Sequence, residues 1–198
     1  YQYGLEPVRA LLSFPAYTEG WATYVEYMSY QYAGLPDQLA SVLALNESIV
    51  LSLYASADIG IHYYGWSQDE AARLLKLFGI TNTNAISEIY QYIVETPANY
   101  LKYCWGYLCF LDLKTEWQTV LGNNFNPKAF HQYLLEIGPV QFPVLQKYMQ
   151  KHLQKLTVKE NGHSAAVNSD TKRRCSYLHL LLFSIIIKKS LQFQQCFR

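Results

Sequence analysis

Apolar positions recur at three- and four-residue intervals along most of this chain, the spacing that lines one face of a helix. Pro15 suits the first turn of a helix, where its missing N–H has no acceptor to lose. From there Ala22, Val25, Tyr27, Met28 and Tyr32 keep an apolar and aromatic pattern until Gly34-Leu35-Pro36 stops it. Pro36-Asp37 opens a second long helix through Leu39, Val42, Leu43, Leu45, Ile49, Val50, Leu53 and Tyr54. It is apolar almost all round, which predicts a central position. Its end, and a turn, are expected between Asp58 and Trp66.

Ser67, with Glu70 three residues on, forms a capping box that starts a helix through Phe78, terminated by Gly79. Asn84 is expected to start the next, to about Glu95. Thr96-Pro97 reads as N-cap and first residue of a helix to about Leu121, and Asn126-Pro127 repeats the signal for one to about Glu136. Gly138-Pro139 breaks that helix, and a last one is expected from about Val144 to Leu156. No Asn-Gly turn lies between alternating strands, and no β-α-β spacing occurs. The prediction is an all-α fold, an irregular multi-helix array of about seven helices joined by short loops.

Past residue 157 the pattern changes. A polar stretch with a basic finish leads to the apolar run Tyr177–Ile187, too short for a membrane span of about 20 residues. Residues 1–157 are therefore expected to form the folded portion, and 158–198 a linker and tail outside it. Charge divides at the same place: residues 1–157 carry 9 Lys/Arg against 13 Asp/Glu, whereas 158–198 carry 7 against 2. The overall charge of +1 gives no general attraction for nucleic acid, so neither a nucleic-acid partner nor a membrane span is expected. The 18 tyrosines suit a cleft lined by rings whose hydroxyls are paired. Cys104, Cys109, Cys175 and Cys196 show neither C-x-x-C nor zinc-finger spacing, and free buried thiols are the expectation.

The candidate chemistry lies in the first helix. Glu19 and Glu26 are seven residues apart, which puts them on one helix face. Ionised carboxylates against so apolar a helix ask for a cationic partner. A metal ion is one. Arg9 or Arg73 is another, and that choice would make the chain a non-catalytic all-α binding or scaffold module.

Four separated segments sharpen the first alternative. YTEGWATYVEYMSYQYAG, DIGIHYYGWSQDEA, TPANYLKYCWGYLCFLDLK and FHQYLLEIGPVQFPVLQKYM resemble, in order and approximate spacing, a bacterial family long catalogued as domain of unknown function 885. Its members are zinc-peptidase-like proteins of the gluzincin type, and the resemblance covers about residues 1–155. It implies a C-terminal portion of a helical metallopeptidase domain acting on peptide substrates. The family's His-Glu-x-x-Pro-Gly-His motif would lie in a missing N-terminal part of the same protein, since the five histidines here include no i, i+4 pair. Family members are often exported or lipid-anchored; the sequence itself leaves the compartment open.

By this resemblance Glu19, in Glu19-Gly20-Trp21, is the third zinc ligand, completing a set of two His and one Glu that leaves a position for water. Glu26 would orient a ligand by hydrogen bonding. His62, in Asp58-Ile59-Gly60-Ile61-His62, and Tyr103, six residues after Pro97, would stabilise the oxyanion of a tetrahedral intermediate, with Asp58 fixing the tautomer of His62. Asn99 stands where the family has Gln, a shorter amide. Zinc would belong to the full-length protein, and this chain alone is expected to be inactive.

Overall fold

The computed structural model describes residue 9 and residues 11–161. Seven α-helices follow in order: α1 Pro15–Ser29, α2 Asp37–Tyr64, α3 Gln68–Leu77, α4 Thr83–Glu95, α5 Asn99–Leu121, α6 Pro127–Ile137 and α7 Phe142–Asn161. Single 3-10 turns, Tyr30–Tyr32 and Gly122–Asn124, follow α1 and α5. Among the described residues there is no strand, and the all-α expectation holds.

Local signals set several boundaries as expected. The Ser67 side chain accepts from Glu70 N–H and the Glu70 carboxylate accepts from Ser67 N–H, so the capping box starts α3. Asn126 caps α6 by accepting from Ala129 N–H, with Pro127 in the first turn. Other boundaries move. The cap of α4 is Asn82, not Asn84, and accepts from both Asn84 and Ala85 N–H. Thr96 does not cap α5, because its hydroxyl donates back to Tyr92 O at the end of α4. The end of α2 falls within the expected stretch: the helix runs through Tyr64 and closes on Gly65 at φ 69°, so Asp58 to Tyr64 are its last two turns. α7 carries on to Asn161, and the remainder of the expected tail lies outside the described residues.

The central helix is α5, not α2. Along its C-terminal half Phe110, Leu113 and Trp117 join Tyr17 and Tyr24 of α1, Phe130 and Leu134 of α6, and Leu145, Met149 and Leu153 of α7 in one buried aromatic and aliphatic core. Edge-to-face packing of Tyr17 on Phe110 (5.1 Å) and Phe130 on Trp117 (5.3 Å) ties three of these helices together. Along its N-terminal half α5 meets α2 through smaller groups, with Cys104 and Leu108 against Ala55. α3 and α4 close the other side of α2 over Leu53, Leu75 and Ile86 and over Ala57, Ala71 and Ile93. The first half of α2 leaves Leu39, Val42 and Leu45 exposed, which is why its all-round apolar pattern misled. α2 is long and apolar enough, by length and composition, to cross a membrane; its second half packs on α3, α4 and α5. Cys104 is a free, buried thiol, as expected, Cys109 is buried as well, and burial pushes the Cys104 thiol up to about 11.

Candidate functional site

α1 and α5 touch backbone to backbone. A methyl group added to Gly20 would collide with the Gly106 backbone, and one added to Gly106 with the Ala16 carbonyl. Only residues without a Cβ permit an approach this close. The crossing fixes what lies beside it. Glu19 precedes Gly20 by one residue, and Tyr103 precedes Gly106 by almost one turn. The two side chains therefore face each other from helices 84 positions apart in sequence.

Both are partly exposed. The Tyr103 phenol lies near enough to the Glu19 carboxylate to feel its charge, and its pKa is raised by burial first, then by Glu19, then by Tyr92. A phenol in that setting stays protonated through neutral pH and remains a donor. Asn99, in the first turn of α5, donates from Nδ2 to the Tyr92 hydroxyl at 3.4 Å. A polar band of Glu19, Tyr103, Tyr92 and Asn99 thus runs along the opening turns of α5.

The same end of α5 holds the second predicted pair. Asp58 is 1% exposed, and its Oδ1 accepts from His62 Nδ1 at 2.8 Å and from Ala98 N–H at 3.1 Å. Ala98, the residue before α5, sits at φ 60°, a left-handed conformation that costs a residue with a Cβ about 1 kcal/mol or more. The buried carboxylate caps that turn, so one side chain both starts α5 and orients His62. Holding the His62 tautomer and capping the start of α5 thus fall to the same oxygen. With Nδ1 donating, the imidazole presents Nε2 as an acceptor. Asp58 Oδ2 is buried without a hydrogen-bond partner among the described residues.

The structure brings Glu19 together with Tyr103, and His62 together with Asp58. Among the described residues no hydrogen bond or ion pair joins the two pairs to each other. Glu26 is exposed, on α1 beyond the crossing. Arg9 does not neutralise either α1 carboxylate: it donates to the Ile137 and Pro139 carbonyls at 2.8 and 2.7 Å. Arg73 faces Glu70 within α3. Among the described residues no three His, Cys, Asp or Glu side chains gather as a metal-binding group. Tyr92, which the sequence did not single out, belongs to the band. Nothing in its local pattern separates it from the other tyrosines.

A family described as "Bacterial protein of unknown function (DUF885)" has a sequence model that matches residues 1–149. No curated protein matches. A solved structure described as the "putative lipoprotein from Colwellia psychrerythraea" resembles the chain with a TM-score of 0.63 and 26% identity. The likeness covers 78% of this chain but 26% of the Colwellia one, so the chain spans about a quarter of that protein's length.

Proposed function

Because this chain belongs to the family of bacterial proteins of unknown function DUF885, we propose that it is the C-terminal portion of a zinc-dependent peptidase centre, to which it contributes Glu19. The observation that carries the reading is the pairing of Glu19 with Tyr103 across the glycine crossing. It sets a carboxylate beside a phenol that remains a donor at neutral pH. Zinc, when bound, would polarise a scissile carbonyl and acidify a water. Two imidazoles and a general base would come from a segment outside this sequence, and this chain alone is expected to be inactive.

The roles of this chain's own residues follow from their surroundings. Glu19 supplies one anionic oxygen ligand, and the Tyr103 phenol beside it keeps its proton. Once substrate binds, that phenol is free to donate to a developing oxyanion. His62, oriented by Asp58 through Nδ1, offers Nε2 to a proton or a donor. Glu26 would steady a ligand from the adjoining segment. The substrate class is a peptide, and the setting is exported or lipid-anchored, which the description of the Colwellia protein supports.

The test is zinc content and peptide hydrolysis of the protein made from the complete reading frame, beside Glu19→Gln. The expected result is stoichiometric zinc and activity in the parent and a large loss of both in the variant. Zinc retention equal to the parent's would remove Glu19 from the ligand set. The engaged arginines weaken the alternative of a scaffold whose α1 carboxylates simply form ion pairs.

A further inference from the structure

An open groove of about 990 Å³ lies on the far side of α1 from Glu19. Met28, which lines it, is nine positions beyond Glu19 and so roughly 180° around the helix. Lys114 of α5 forms one wall, and Lys128, His131, Leu135 and Glu136 of α6 form the other.

Three observations give the groove a sign. Lys114 is partly buried, and its ammonium rests over the Tyr24 ring at 5.6 Å from the centroid. No carboxylate lies within salt-bridge distance of it among the described residues, and burial alone holds its pKa down. The second is His131, whose Nε2 meets the Tyr24 hydroxyl at 2.8 Å. Burial pushes the Tyr24 phenol up to about 12, so the phenol keeps its proton; when it donates to Nε2, Nδ1 carries the imidazole proton. His131 is itself held below the ordinary imidazole value, by burial first and then by the Lys114 charge, so it serves as a neutral donor and not a second cation. The third is the balance of charges. Two lysines against Glu136 leave a single positive excess, which matches a monoanion better than a phosphate dianion. Met28 and Leu135 add apolar wall.

We propose that this groove, lined by Lys114, Lys128 and His131, binds the carboxylate of a ligand with an apolar body, the chemistry of a peptide's C-terminal residue. A charge-assisted contact from Lys114 would supply most of the discrimination. The site is independent of Glu19 and of the zinc reading, because it lies on the opposite face of α1.

The test is titration of the 198-residue chain with N-acetyl-leucine, N-acetyl-leucinamide and inorganic phosphate, followed by the His131 imidazole and Lys114 ammonium resonances. Saturable binding of the acid is expected, with the amide weaker by about tenfold, the size of one hydrogen bond to a charged group. Lys114→Gln is expected to weaken the acid by a similar factor, Lys128→Gln by less, and Glu19→Gln not at all. A tripeptide with a free C-terminus should compete, and its C-terminal amide should not; a tripeptide acid that fails to compete would overturn the peptide assignment. Equal binding of acid and amide, binding of neither, or tighter binding of phosphate would overturn the proposal. Should Lys114→Gln fail to fold, Lys128→Gln and the wild-type acid-to-amide ratio decide it.

Discussion

The two ends of α5 solve different packing problems. At the C-terminal end Phe110 and Trp117 are enclosed by rings from α1 and α6, and α7 completes the enclosure with Leu145, Met149 and Leu153. At the N-terminal end the helix is started by a buried carboxylate, crossed at bare backbone by α1, and packed on α2 through alanine and cysteine. Large side chains hold their neighbours apart and bury much area; small ones bring backbones together and leave polar groups at the edge. The chemistry divides accordingly. The close-packed end carries Glu19, Tyr103, Asp58 and His62, whereas the ring-filled end is flanked by a groove of lysines and an imidazole.

Substitutions can break that contrast, beginning with the largest effect. Phe110→Ala, at a fully buried ring, is expected to cost about 3–5 kcal/mol in urea unfolding and to leave the titration of Tyr103 unchanged if the protein still folds. Gly106→Ala forces the Ala16 carbonyl away, at a cost near the upper end of the roughly 1–3 kcal/mol seen for overpacking. Unlike the Phe110 change, it should also separate Tyr103 from Glu19, shifting the phenol's titration. Destabilisation without that shift would mean the crossing does not position the pair.

Asp58→Ala leaves the Ala98 N–H without its acceptor and His62 Nδ1 with only the backbone carbonyl of residue 58 at 3.1 Å, and about 1–3 kcal/mol is expected, together with faster hydrogen exchange in the first turn of α5. Unchanged exchange would remove Asp58 as the cap. At the other end the smallest effect is a pH dependence. His131 is held below the ordinary imidazole value of about 6.5, so as pH falls through that value the unfolded chain takes up a proton that the folded chain refuses. Stability therefore declines on acidification until the folded imidazole is protonated as well, and above that window the contribution is zero. Unfolding at a series of pH values should show this slope, and His131→Gln should flatten it.

The sequence was most informative where a signal is local. Ser67 with Glu70, and Asn126 with Pro127, satisfy their own helix starts, so spacing alone located α3 and α6. The start of α5 was misplaced because its acceptor, Asp58, comes from α2, forty residues earlier. The pattern of α2 predicts a central helix because periodicity reports apolar faces, not whether another helix covers them, and its first half is left exposed. Glu19 and Tyr103 could be named from motifs, but their meeting depends on two glycines in different helices. The groove was illegible for the same reason: Tyr24, Lys114 and His131 come from three elements, and none carries a local pattern.

The central feature of the site is the Glu19 carboxylate facing the Tyr103 phenol. Ring-labelled tyrosine NMR across an alkaline titration reads this directly, because Tyr103 should titrate above the ordinary phenol value near 10. Replacing Glu19 with Gln removes the charge while burial remains, so the midpoint should move part of the way back toward that value, with Tyr24 unaffected. A Tyr103 midpoint identical in the parent and the variant would show that the two side chains do not meet.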